Sequence, residues 1–258
     1  MRIVRFAAQG RTGFGILKGD VVRRLRRSPF AGFIGPGRLF PLDGSSYTLD
    51  GVKLLVPCLP SRVVGVGLNY HSHSVEFKSP PSSEPLIFLK PSTAVIGPGE
   101  NIIYPPGATR VDYEGELGVV IGRRAKQVSR ERAKDYVLGY VCVNDVTERD
   151  IQKRDGQWTR AKGFDTFAPL GPWIETDADP DNLKIETRLN GKLCQSARTN
   201  ELIFGVSRLV EFISGVMTLL PGDVIATGTP AGIGPMKPGD VVEVTIEMIG
   251  ALRNYVTI

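Results

Sequence analysis

The chain has 258 residues, 41% hydrophobic and 23% charged, with a formal net charge of +5. This is an ordinary globular composition with length for a sizeable core. The apolar runs fall well short of the ~20 residues that cross a bilayer, and MRIVRFAAQGRTGFG lacks the apolar core of a signal peptide, so the expectation is a cytoplasmic protein without a membrane span.

The basic residues cluster in VVRRLRRSPF (21–30), with no aromatic interleaving and no nucleic-acid motif around them. A solvated surface segment is expected there, and nucleic acid is not an expected partner. Cys58, Cys142 and Cys194 lie far apart without a C-x-x-C pair, which argues against a disulfide framework or a structural zinc site.

Residues 1–57 read as short strands and turns (MRIVRFAA, TGFGILKG, DVVRRL) followed by Gly/Pro-rich loops, a small N-terminal β-rich domain. The prolines of LLVPCLPSRVVGVGLNY mark a boundary near 57/58, and RVVGVGL reads as a buried strand. Further on, SRERAKDYV predicts a short helix with Ser129 as N-cap, and LGYVCVND a strand. Thr147-Glu148-Arg149-Asp150 resembles a capping box with Asp in place of Glu, so a short helix is expected to begin there. SRLVEFISGVMTLL carries apolar residues at helical spacing. Two Pro-Gly-Asp turns, at 221–223 and 238–240, each launch a strand. Strands dominate, helices are few and short, and βα alternation is absent, which predicts an α+β, mostly β architecture.

The stretch DYEGELGVVIG (112–122) is unusual. Read as one strand, Asp112, Glu114 and Glu116 share a face with Gly118 and Val120, while Tyr113, Leu117, Val119 and Ile121 fill the other. Acids on so apolar a strand need partners, because burying unpaired charge is very costly. Asp145 likewise ends the apolar stripe of LGYVCVND. Two readings fit Glu114, Glu116 and Asp145: ligands of a hard cation, Mg²⁺ or Mn²⁺, or structural salt bridges with Lys and Arg.

The two histidines both lie in NYHSHSVEF. If HSHSVEF is helical, His73 and Glu76 share a face, and a carboxylate-held imidazole is a prepared general base. A polar surface loop is the other reading. Lys162, in QWTRAKGFDTFAPLGP, is either a surface lysine or a partner for a substrate carboxylate or carbonyl. ATGTPAGIGPM lacks the P-loop ending, but its N–H groups and the hydroxyls of Thr227 and Thr229 are able to bind a carboxylate.

Together GVGLNYHSHSVEF, PLIFLKPSTAVIGPGE, VDYEGELGVVIG, GYVCVNDVTERDIQ, GQWTRAKGFDTFAPLGPW and LLPGDVIATGTPAGIGPMKPGDVVEV resemble, in order, the fumarylacetoacetate hydrolase family. The resemblance covers residues ~60–258, while residues 1–57 match only as its variable N-terminal part. It implies a mixed β-roll catalytic domain over 58–258, usually dimeric, with a Mg²⁺ or Mn²⁺ site. By position it implies metal ligands at Glu114, Glu116 and Asp145, with Asp112 as support. It also implies a His-x-x-Glu dyad at His73 and Glu76, an active-site lysine at Lys162, and substrate contacts from Thr229, Arg149 and Gln152. Ser72 stands where relatives often carry Asp, and His71 is an additional imidazole. The implied activity is on small 2-oxo acids: acylpyruvate C–C hydrolysis or oxaloacetate decarboxylation through an enolate, or alternatively isomerisation of 2-hydroxyhepta-2,4-diene-1,7-dioate, with or without decarboxylation, in aromatic catabolism; a catalytically silent binding protein is the remaining alternative, against which the intact Glu114, Glu116, Asp145, His73 and Lys162 argue.

Overall fold

The computed structural model describes residues 1–76 and 82–258; Phe77, the last residue of the expected HSHSVEF helix, lies outside the described residues. The N-terminal part holds β1 (Arg2–Ala8), β2 (Arg11–Lys18), β3 (Val21–Leu25), β4 (Leu42–Thr48) and β5 (Lys53–Leu55). After it come β6 (Arg62–Gly67), helix α1 (His71–Glu76), β7 (Leu86–Pro91), β8 (Val95–Ile96), β9 (Asn101–Ile103), β10 (Val111–Tyr113), β11 (Gly115–Ile121) and β12 (Val137–Asn144). The second half continues with β13 (Thr147–Glu148), α2 (Arg149–Asp155), α3 (Thr159–Lys162), β14 (Ala168–Glu175), β15 (Lys184–Leu189) and β16 (Lys192–Arg198). It closes with α4 (Val206–Val216), β17 (Val224–Ala226), β18 (Gly234–Met236), β19 (Val241–Ile246) and β20 (Gly250–Thr257).

The architecture is the mostly β, mixed α+β roll expected. One large sheet runs β4-β3-β2-β1-β14-β12-β11-β17-β6-β7, with β5 on β1 and β8 on β14. It is antiparallel except where β17 lies parallel to β6 and β8 parallel to β14. A three-stranded sheet, β13-β10-β18, and a five-stranded sheet, β16-β15-β19-β20-β9, complete the roll. β11 and β12 are buried along their whole length, which explains why their sequences are apolar on both faces. One apolar cluster gathers Leu117, Val119, Ile121, Leu209, Ile213 and Ile225, so α4 packs its expected stripe under the central strands. A second cluster, with Val120, Val141, Val143, Leu170 and Val224, fills the other face.

Three local expectations are corrected. DYEGELGVVIG is not one strand: it divides at Glu114 into β10 and β11, which belong to different sheets. The division arises because the Glu114 N–H donates to the Asn144 side chain at 3.0 Å and its carbonyl accepts the Asp145 N–H at 2.8 Å, outside either ladder. The helix α2 is capped by Glu148, not Thr147: the Glu148 carboxylate accepts the Ile151 N–H, while the Thr147 hydroxyl donates to the Asp145 carbonyl. Asp150, the expected box partner, instead takes the Thr109 hydroxyl. Ser129 does precede a helix, a 3₁₀ turn over Arg130–Tyr136, but its side chain makes no cap hydrogen bond.

Candidate active site

The change of sheet at Glu114 brings carboxylates from three segments together. Glu114 lies at the β10/β11 junction, Glu116 on β11, and Asp145 just beyond β12. Each is 4% exposed or less, and one oxygen of each lies within 4.8 Å of the others. Asp112, two residues before Glu114, receives both Arg110 (2.9 and 3.0 Å) and Arg149 Nε (2.9 Å).

Cations surround the triad. Lys162 Nζ donates to Glu114 Oε2 at 2.7 Å and to Asp145 Oδ2 at 2.6 Å, and lies 4.9 Å from the Phe88 ring centroid. It is therefore buried inside the cluster, not on the surface. Arg149 Nη2 donates to Glu114 Oε1 at 2.5 Å, and its Nη1 to Gln152 Oε1 at 3.0 Å. Burial alone would push the Glu114 carboxyl up, but Lys162 and Arg149 outweigh it and hold Glu114 well below the ordinary carboxylate range. Burial likewise opposes the charge on Lys162, yet Asp145 and Glu114 raise its ammonium above the usual lysine value.

Glu116 differs. Among the described residues its carboxylate accepts one hydrogen bond, from the Gly228 N–H at 2.8 Å. Burial, then the charges of Asp145 and Glu114, push its carboxyl well above the usual value. A dense oxygen cluster with one carboxylate short of counter-charge is what a hard divalent cation would complete, so the residues present fit Mg²⁺ or Mn²⁺.

The dyad residues lie beside this cluster. On α1, His73 Nδ1 and Glu76 Oε2 are 2.9 Å apart, with the imidazole almost fully buried. Glu76 Oε1 also accepts the Gly232 N–H at 3.3 Å, and Ser72 Oγ accepts the Ala231 N–H at 3.4 Å. Ser72 thus helps seat α1 on the loop that carries Thr229, whereas His71 is exposed. The Thr229 hydroxyl donates to the Gly115 carbonyl at 2.9 Å and accepts from Gln195 Nε2 at 2.8 Å. Thr227 is turned away, donating to the Leu117 carbonyl at 3.0 Å.

A cavity of about 240 Å³ joins these groups: His73, the three carboxylates, Lys162, Arg149, Gln152 and Thr229 all line it. Its remaining wall is largely apolar, with Val66, Leu68, Phe88 and Trp158. Phe88 and Trp158 meet edge to face at 5.4 Å between centroids.

Sequence reasoning missed Lys90 and Gln195. Lys90 is fully buried on β7; its ammonium donates to Asp145 Oδ1 and, at 3.0 Å, to the Val146 carbonyl. Burial lowers its pKa, with Asp145 opposing. The available signal was a lone lysine in the apolar strand LIFLKP, two residues from Phe88 and hence on the same face. Gln195, from the five-stranded sheet, accepts the Gly115 N–H at 3.0 Å and donates to Thr229 and to the Pro230 carbonyl. No local pattern marks it, because its partners lie 34 and 80 residues away.

The family model "Fumarylacetoacetate (FAA) hydrolase C-terminal" matches residues 62–257, and "Rv2993c-like, N-terminal" matches residues 1–57. The chain is 47% identical to Protein Rv2993c of Mycobacterium tuberculosis over 266 residues, covering 99% of this chain and 98% of the relative. Among solved structures it is similar to 2-hydroxyhepta-2,4-diene-1,7-dioate isomerase from Mycobacterium marinum (TM-score 0.91, 47% identity, 100% and 98% of the two chains). It is also similar to fumarylacetoacetate hydrolase from Exiguobacterium antarcticum (TM-score 0.88, 36% identity, 100% and 99%). The chain belongs to the fumarylacetoacetate hydrolase family.

Proposed function

We propose that the protein is a divalent-metal-dependent enzyme that cleaves the C3–C4 bond of small 2-oxo acids, by hydrolysis of an acylpyruvate or decarboxylation of oxaloacetate. The observation that carries this reading is the buried His73, bonded to Glu76 at 2.9 Å and lining the same cavity as three clustered carboxylates. Glu114, Glu116 and Asp145 would hold Mg²⁺ or Mn²⁺. Once bound, the cation supplies Lewis-acid stabilisation for negative charge at the 2-oxo group, worth several kcal/mol.

The chain's own residues supply the rest. Glu76, bonded to Nδ1, fixes the His73 tautomer and leaves Nε2 as the nitrogen that takes a proton. His73 takes a proton from water as the oxygen adds to the acyl carbon. The C3–C4 bond breaks, its electron pair remains on the three-carbon fragment, and C3 takes up a proton. The products are a carboxylic acid and pyruvate. Oxaloacetate loses CO₂ from the same bond and needs no attacking water. Arg149, Gln152 and Thr229 orient the acid, and the Lys162 ammonium faces the oxygens that gain charge. The same reading takes the protein as a cytoplasmic homodimer. Sedimentation equilibrium giving twice the 28.1 kDa chain mass is expected, and a monomer would contradict it.

A second reading, isomerisation of 2-hydroxyhepta-2,4-diene-1,7-dioate by proton transfer between carbon and oxygen, is favoured by the similarity to the M. marinum isomerase. His73→Ala separates the chemistries. It is expected to lower acylpyruvate hydrolysis by ~10²–10⁴-fold, the usual worth of a general base, and to affect oxaloacetate decarboxylation far less. Intact acylpyruvate hydrolysis in this variant would remove the water-activation role.

A further inference from the structure

We infer that Gln195 is a positioning residue of the cavity: it closes a ring of hydrogen bonds that commits the Thr229 hydroxyl proton to the Gly115 carbonyl, and so makes the Thr229 main-chain N–H the donor that this loop offers to a bound oxyanion. The inference rests on the 2-oxo-acid reading above and adds to it the atom that meets the acid.

The ring has three members, Gly115, Gln195 and Thr229, all buried. The Gly115 N–H donates to Gln195 Oε1 at 3.0 Å, Gln195 Nε2 donates to the Thr229 hydroxyl oxygen at 2.8 Å, and that hydroxyl donates to the Gly115 carbonyl at 2.9 Å. Chemistry fixes its direction. A main-chain N–H only donates, so the amide oxygen of Gln195 must face Gly115 and its NH₂ must face Thr229. The other amide hydrogen of Gln195 goes to the Pro230 carbonyl at 2.8 Å. The Gly115 carbonyl only accepts, so it takes the one proton of the Thr229 hydroxyl. Gly115 lies between Glu114 and Glu116, and an added Cβ there would collide with Thr187 Oγ1. The ring therefore ties the Thr229 loop directly to the strand that carries the carboxylates.

The main-chain donors of the loop are nearly all taken. The Thr227 N–H goes to the Leu117 carbonyl at 3.0 Å and the Gly228 N–H to Glu116 at 2.8 Å. Pro230 has no N–H. The Ala231 N–H goes to Ser72 Oγ at 3.4 Å and the Gly232 N–H to Glu76 at 3.3 Å. The Thr229 N–H has no hydrogen-bond partner among the described residues, although Thr229 is only 2% exposed and lines the cavity. A buried main-chain N–H without an acceptor is costly, and such groups are rare in folded chains.

The two observations meet in one residue. The hydroxyl of Thr229 has a lone pair left and no proton, so it has nothing to donate to a carboxylate or enolate oxygen. The hydroxyl of Thr227 is committed in the same way, to the Leu117 carbonyl. The Thr229 N–H is free to donate, and an anionic oxygen there gains a charge-assisted hydrogen bond from a donor already held in place.

Gly228-Thr229 is the only Gly-Thr step in the sequence. Labelling with ¹³C-carbonyl glycine and ¹⁵N-threonine therefore isolates one amide resonance, that of Thr229, in a carbonyl-filtered NMR spectrum. The probe is pyruvate, the shortest acid with the 1-carboxylate and 2-oxo head, titrated into the Mg²⁺-loaded protein with its affinity read by calorimetry. The Thr229 amide proton is expected to move downfield in step with binding. Gln195→Met should weaken pyruvate about tenfold, the worth of one hydrogen bond to a charged group, and shrink the amide shift at saturation, which a loss of stability alone would not do. Thr229→Val should weaken pyruvate to the same degree, and the double variant no further, because either change opens the same ring. A Thr229 amide that stays put at pyruvate saturation, or a Thr229→Val loss far beyond that of Gln195→Met, would overturn the inference while leaving the 2-oxo-acid reading intact. No binding of pyruvate would remove the 2-oxo-acid reading, and the inference with it.

Discussion

Glu116 is where the electrostatics of the site are most out of balance. Burial and then its two acidic neighbours raise its carboxyl in the metal-free folded chain, while in the unfolded chain it has the ordinary value. The folded protein therefore holds that proton more tightly. The stability this contributes is complete below the ordinary carboxylate value and is lost as pH rises through the raised value. A divalent cation needs the ionised form, so metal binding should release a proton and tighten as pH rises through the same window. Calorimetry in two buffers of different ionisation enthalpy would measure the proton; a pH-independent affinity would contradict this. Glu116→Gln should abolish the release and weaken binding by more than the roughly 10–100-fold typical of an outer-shell partner. Lys90 makes a complementary case. Lys90→Met removes one partner of a buried pair, a change that costs about 3–5 kcal/mol. Urea unfolding should register that loss in EDTA and a smaller one in Mn²⁺, because a cation bound by the proposed triad would replace charge at Asp145. An equal loss in both would show that Lys90 acts on the fold alone. Asp145 and Glu116 were legible in the sequence because acids that end or interrupt apolar strands stand out. Lys90 was not, since one lysine near a proline also reads as the end of an edge strand.

At the scale of elements, the site depends on how short segments are fastened. Helix α2 is only seven residues long, and its Glu148 cap holds the turn that presents Arg149. Glu148→Ala should cost about 1 kcal/mol of stability and raise KM more than it lowers kcat, read by thermal unfolding and steady-state kinetics. Unchanged KM would mean that α2 does not position substrate. The loop after Thr229 is fastened by Gly232, at φ +98°, where an added Cβ would press into the Cys194 carbonyl. Gly232→Ala should therefore destabilise by more than about 1 kcal/mol and disturb both Thr229 and the Glu76 contact. Strands β6, β12, β17 and β19 and helix α4 were readable from their apolar patterns and Pro-Gly-Asp turns. The division of 112–122 between two sheets was not, because it depends on Asn144, thirty residues away in the chain, taking a backbone N–H from Glu114. The capping shift from Thr147 to Glu148 has the same origin: Thr147 is drawn into β13 and bonds the Asp145 carbonyl.

For the whole molecule, the carboxylates tie together the large sheet and the three-stranded sheet, since Glu114 is the joint between β10 and β11. Metal binding should therefore stabilise the folded chain globally. At a free concentration of 100 Kd the gain is about 2.7 kcal/mol, which corresponds to a rise in Tm of roughly 5–10 °C for a chain of this size. Mn²⁺ should produce that shift in the wild type and not in Glu114→Gln; a shift of equal size in the variant would place the ion elsewhere. The mostly β, α+β class followed from the strand-rich, helix-poor order of the sequence, and the roll from the family resemblance. The pairing of β1 with β14, which joins the N-terminal strands to the large sheet, did not, because it links positions more than 170 residues apart. The most direct measurement is the loss of enol absorbance from acetylpyruvate, with oxaloacetate followed in parallel, first in Mg²⁺ and then in EDTA. Metal-dependent loss of at least one of these acids, abolished by EDTA, is expected. Turnover that persists in EDTA, or no turnover of either acid in Mg²⁺ or Mn²⁺, would contradict metal-dependent C–C cleavage.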